Sequence, residues 1–169
     1  MKKIILGLLC VASFMSCQQS KIAFVDNTKL INDYQEKIDM EAKYQHKIDV
    51  FDKKRDSIGK TLQAEAQDFS EKSKSMSQTA AQSRYNELMQ KRQTAGQQLQ
   101  QEQQQLAQES QTEIDSLVSK VRKFVKDYGK KNGYTYILGA NDAGSVMYGE
   151  ESKDITEEIV KELNAAYKK

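Results

Sequence analysis

The chain has 169 residues, no proline, eight glycines, 38% hydrophobic, 8% aromatic and 30% charged residues. That composition excludes a large compact core and favours long helices along a narrow apolar seam, since proline and glycine are the residues that stop helices. The formal net charge is +2; it falls to zero without Lys2 and Lys3, and residues 43–100 are then basic (11 Lys/Arg against 7 Asp/Glu) between acidic flanks.

Residues 1–16 read as a signal peptide, with Lys2 and Lys3 before an apolar run at residues 4–15. The run is shorter than the ~20 residues a membrane span needs. Cutting after Ser16 leaves Phe14 three residues before the cut, a poor fit to ordinary cleavage. The stretch FMSC fits the lipoprotein pattern loosely, with Cys17 as the lipidated first residue and 17–20 as a short tether. Lipidation of Cys17 and plain secretion are the two outcomes, and the first is favoured. The chain beyond Cys17 has no other cysteine, so it can form no internal disulfide.

KIAFVD opens the next segment, and residues 21–27 are expected to form a buried strand and its exit, with Asn27 or Thr28 capping a helix. From 28 to 131 the periodicity predicts two long helical arms. The first carries a seam at Ile31, Tyr34, Ile38, Ile48, Phe51, Ile58, Leu62 and Phe69. The second carries Tyr85, Leu88, Ala95, Leu99, Leu106, Ile114, Leu117, Val121, Phe124 and Tyr128. Between Leu88 and Ile114 that seam thins, where QQLQQEQQQLAQ holds eight glutamines in twelve residues. The serine-rich window SEKSKSMSQTAAQS lies at the midpoint, so a tip is expected near residues 75–80.

Gly129, Asn132 and Gly133 are expected to stop the second arm. Residues 132–169 then predict a β-hairpin and a last helix. YTYIL and SVMYG would be its strands around GANDAG, and Asp154 would cap the helix. Three short strands and one helix cannot cover both sheet faces, so copies are expected to share one core. The candidates for that oligomer core are Ile22, Phe24, Val25, Tyr136, Ile137, Leu138, Val146, Tyr148, Ile159 and Leu163. The fold class is α+β and mostly helical: a long antiparallel helical hairpin projecting from a small β-body with a C-terminal helix, completed by oligomerisation.

KIAFVDNTKLINDYQ with a helix straight after it, the charged helical hairpin, YTYIL and KDITEEIVKELN resemble the Skp/OmpH family in order and spacing. The resemblance covers residues 21–169. It implies an ATP-independent periplasmic holdase, a homotrimer whose helical tentacles enclose a cavity for unfolded outer-membrane proteins. The best-known members are strongly basic, whereas this chain without its leader is neutral, so no lipopolysaccharide-binding role is carried over. Known soluble members also lack an anchor, whereas Cys17 implies a membrane attachment here.

Apolar residues amid polar arm surface are the candidate client contacts: Phe69, Met76, Tyr85, Met89, Leu99 and Leu106. No catalytic, cofactor or metal site is expected, and no nucleic-acid partner. His46 is the only histidine, and GANDAGS lacks the lysine, hydroxyl and following helix of a phosphate loop. The rival reading is a lipid-anchored coiled-coil spacer of the cell envelope, which would not require the strand module.

Overall fold

The computed structural model describes residues 20–141 and 143–168. The signal peptide, Cys17 and most of the tether lie outside the described residues. Strand β1 is Ile22–Asp26, and β2 is Tyr136–Ala140. They pair in parallel, from Ile22 opposite Tyr136 to Asp26 opposite Ala140. Everything between them is therefore one crossover connection, and a parallel pair needs a long one.

The crossover is helical throughout most of its length. Helix α1, Asn27–Asn32, is capped by Asp26, whose Oδ1 accepts the Thr28 and Lys29 amides at 2.8 and 3.0 Å. This corrects the expected cap at Asn27 or Thr28. Asp26 is still extended, so its carboxylate sits one residue earlier and reaches both free N–H groups. The first arm is also not continuous from residue 28. It breaks at Asp33–Tyr34 before α2, Gln35–Lys72. Asn164 holds the break: its Oδ1 accepts the Gln35 amide at 2.7 Å and its Nδ2 donates to the Asp33 carbonyl at 3.0 Å.

The chain reverses through a 3₁₀ turn at Ser73–Ser75, and Ser77 caps α3, Gln78–Lys131, by accepting the Ala80 amide at 3.3 Å. At 54 residues, α3 is about 80 Å long. Its last turns pass beyond the arm and pack on the sheet. Gly129 does not stop the helix; it lets β2 approach, since a Cβ there would meet Ile137 Cδ1 at 3.1 Å. Gly133 is the stop. It has φ +71°, its amide donates to Lys130 O, and Tyr134 N donates back to Gly129 O at 2.9 Å.

The expected second hairpin strand does not form. Asn141 Oδ1 accepts the Ser145 hydroxyl and amide at 2.9 and 3.3 Å, and Gly144 has φ +86°. That closed turn sends the chain across β1 instead of back along β2. Asp154 makes a single parallel bridge to Phe24, and the Ile155 amide donates to Phe24 O at 3.1 Å. Among the described residues, 145–149 pair with neither strand.

Helix α4, Thr156–Tyr167, then covers one sheet face. Asp154 accepts the Thr156 amide at 2.8 Å and also its hydroxyl, while Thr156 Oγ1 accepts the Asp26 amide at 2.8 Å. Thr156 is only 2% exposed. Its hydroxyl thus joins the end of β1 to the start of α4. The core around it is Ala23, Val25, Leu30, Tyr34, Leu117, Val121, Tyr128, Ile155, Ile159 and Leu163.

Replacing Thr156 by Val strands the Asp26 amide and is expected to lower stability by about 1–3 kcal/mol, while Thr156→Ser stays near wild type. Urea unfolding of the three proteins checks this; equal midpoints for Val and wild type would show that the hydroxyl relay carries nothing.

Candidate functional site: the open sheet face and the paired arms

Successive side chains of a strand point to opposite faces. The inner face presents Ala23, Val25 and Ile137 to α3 and α4. The outer face presents Ile22, Phe24, Tyr136 and Leu138, and Tyr136 is 60% exposed. The stretch 146–149 runs over that face, with Val146 and Tyr148 beside Phe24 and Leu138 around a cavity of about 490 Å³. Met147 and Tyr148 are 90% and 87% exposed. β2 has no strand on its far edge among the described residues.

The expected oligomer-core residues therefore divide. Val25, Ile159 and Leu163 are buried in the chain's own core, and Ile137 packs against it. Ile159 and Leu163 face that core alone, whereas Val25 and Ile137 also line a groove at β2. Ile22, Tyr136, Leu138 and Tyr148 are exposed, and Phe24 and Val146 are half-buried. At β2 a second groove of about 650 Å³ has walls from Leu30, Ile31, Val121 and Val125 and a rim of Arg122, Lys126 and Lys130. Among the described residues, no carboxylate pairs with those three cations.

The arms are held by ion pairs. Glu36 meets Lys120, Lys43 meets Glu113, Lys47 meets Glu109 at 2.8 Å, Lys54 meets Glu102 at 2.5 Å, and Glu65 meets Lys91. Moving up the first arm, these pairs advance by 7, 4, 7 and 11 residues, and the second arm retreats by the same steps. All five therefore lie in one antiparallel register. The apolar layers keep an eleven-residue period as well. Met40 and Leu117 line one inter-arm cavity, Phe51 and Leu106 the next, Leu62 and Ala95 the third. Eleven residues make three turns of 3.67, which keeps a seam nearly straight with a slight right-handed drift.

Exposed pairs contribute little one by one. Their order of signs matters more. A slip of eleven residues is the one that keeps the apolar layers matched. In one direction it sets Glu36 against Glu109 and Lys54 against Lys91; in the other, Lys47 against Lys120 and Glu65 against Glu102. Lys43 would still meet Glu102 in the first slip, and Lys54 would meet Glu113 and Glu36 would meet Lys131 in the second, so the charges favour the native register, with its five matched pairs, over either slip.

The client-contact candidates also divide. Leu99 and Leu106 are half-buried between the arms, while Met76, Tyr85 and Met89 are exposed towards the tip. Phe69 and Tyr85 pack ring against ring across the arms, with centroids 6.5 Å apart. His46 lines an inter-arm cavity beside Val50 and Phe51. Among the described residues, no three potential ligands gather as a metal site, and no helix is long and apolar enough to cross a membrane.

At the base of the arms, Glu36 links α2 to α3 and to Tyr34 in the break. Burial would raise its pKa, but hydrogen bonds from Lys120 and from the buried Tyr34 hydroxyl outweigh it and hold the carboxyl below its ordinary value. Tyr34 in turn is pushed up, first by burial and then by Glu36.

A long pair of helices thus rises from a two-stranded sheet with one open face. The family model described as "Outer membrane protein (OmpH-like)" matches residues 21–163, and the chain belongs to that family. It is 25% identical over 155 residues to the chaperone protein Skp of Yersinia enterocolitica, covering 92% of this chain and 93% of that one. A 56-residue segment is 38% identical to outer membrane protein 26 of Haemophilus influenzae, covering 33% of this chain and 27% of that protein. The fold matches a Caulobacter crescentus crystal structure described as an OmpH-like outer membrane chaperone, with TM-score 0.78 and 15% identity over 87% of this chain and 85% of that one.

The lowered pKa of Glu36 gives a signed expectation. Its pairing contributes stability above the ordinary value of 4.5, and that contribution is lost as pH falls through the lower folded value. Wild type should therefore lose urea stability more steeply than Glu36→Gln as pH falls from 4.5 through that lower value. Parallel pH curves for the two proteins would remove Glu36 as the acid-sensitive contact.

Proposed function

We propose that this chain is an ATP-independent periplasmic holdase that keeps unfolded outer-membrane proteins soluble, working as a homotrimer whose arms enclose a cavity. Membership of the family and the alignment with Skp over nearly the whole of both chains support the chaperone reading. The observation that carries the assembly is the open apolar sheet face at the foot of the arms. Parallel sheets are ordinarily covered on both faces, and here one cover has to come from another copy.

The segment 146–151 suits that role. It offers Met147 and Tyr148 and then the acidic pair Glu150 and Glu151. The groove at β2 offers apolar walls and three cations, the complementary surface. A spacer would need no such face, so the sheet favours the chaperone over the scaffold reading. A binding equilibrium rather than a nucleotide would then drive capture and release. Lipidation at Cys17 would fix the body near a membrane surface, because only 18–20 separate it from Lys21.

The test is direct. The processed protein is mixed with a urea-unfolded outer-membrane β-barrel protein, the urea is diluted, and light scattering is followed without nucleotide. The wild-type chain should suppress aggregation in proportion to its concentration. Leu138→Glu, which charges the open face, should lose most of that suppression while its arms remain helical. A wild type that leaves aggregation unchanged would overturn the holdase reading.

A further inference from the structure

The arms contain a feature that an enclosing cavity does not require. Two of the inter-arm cavities have volumes of about 640 and 560 Å³. Their linings are related by eleven residues on both arms: Val50, Phe51 and Leu106 in one become Thr61, Leu62 and Ala95 in the other. They share Gln98. They are therefore successive bays of one furrow on one side of a single hairpin, divided by the Lys54–Glu102 rung.

The walls of the furrow say what fits. Lys47, Lys54 and Lys91 are each paired across the arms with Glu109, Glu102 and Glu65, so the charged rim is balanced within the chain. The floor is aliphatic and aromatic. Beside His46, Ser57, Thr61, Thr94 and Glu87, which pairs with Arg84, the polar lining is four glutamine amides, at positions 90, 98, 101 and 105. Of these four, among the described residues, only Gln105 donates its amide to another side chain, to Glu109 at 2.9 Å. Each amide both donates and accepts, which is what an exposed peptide backbone needs from a partner.

We propose that this furrow is itself a client-binding site, separate from any cavity enclosed between subunits. Its occupant is an extended, uncharged stretch of unfolded polypeptide. Apolar side chains of the client enter the bays, and glutamine amides bond its backbone. The furrow from His46 to Leu62 spans about 24 Å of helix, enough for about seven residues of extended chain. A membrane β-strand, with apolar and polar residues alternating, presents both kinds of group along that length. The glutamine tract then supplies neutral hydrogen bonding to the client without drawing in charged, folded proteins. This inference rests on the holdase reading.

The experiment places a photo-crosslinking phenylalanine analogue at single positions of the processed protein. Gln98 and Gln101 lie in the furrow; Gln97 and Gln104 lie on the outward face of the same helix. Each protein is irradiated with an unfolded outer-membrane β-barrel protein, and complex formation is followed separately by gel filtration. Furrow positions should crosslink the client several-fold more than outward positions, and Ala95→Met, which fills one bay, should weaken client binding several-fold. Complexes that form normally but crosslink equally at all four positions would overturn the furrow and leave the holdase reading standing. Crosslinks from the furrow to another copy of this chain would overturn it too. If no complex forms, the holdase reading fails first and the furrow with it.

Discussion

The parallel pairing of β1 with β2 is the constraint on which the rest of the molecule depends. Two strands of five residues run the same way, so the chain must travel out and back between them. The helical hairpin is that journey. Pairing Ile22 with Tyr136 and Asp26 with Ala140 stitches the two ends of the hairpin together, and the Thr156 relay fastens α4 to the same place. The inner face of the sheet then packs on α3 and α4, apart from the groove at β2. The outer face is left with Ile22, Phe24, Tyr136 and Leu138, which the chain itself covers only in part.

Away from the body, the arms depend on a different balance. Deep packing is confined to a few layers such as Tyr44, Phe51 and Leu88. Most helix stability in proteins comes from tertiary packing, so a seam this thin leaves the middle of the arms weakly held. Ion pairs in a fixed order supply alignment where the seam cannot. A dense leucine seam would align the arms as well, but it would leave no bays between them and no amides free. The sequence thus favours alignment over rigidity, as the proposed client furrow requires.

Much of this architecture is legible in the amino-acid sequence alone. The absence of proline, the two seams and the serine-rich midpoint define a long helical hairpin on a small α+β body. What escapes such a reading depends on contacts between distant residues. The break at Asp33–Tyr34 is held by Asn164, near the other end of the chain. SVMYG has strand-forming residues but no partner strand among the described residues, and propensity alone does not make a strand. The buried role of Thr156 comes from the meeting of β1 and α4. The eleven-residue register is present in the sequence, at Met40, Phe51 and Leu62 against Leu117, Leu106 and Ala95. Steps of three and four conceal it, and lining up every eleventh residue would reveal it.

Cover of the open sheet face by other copies is the point most in need of measurement. Sedimentation equilibrium of the processed chain across the micromolar range tests it, with Leu138→Glu as the comparison. The account predicts a discrete oligomer for the wild type, with the mass of three chains, and a shift to single chains for the variant. A wild type that stays a folded single chain throughout that range would contradict it.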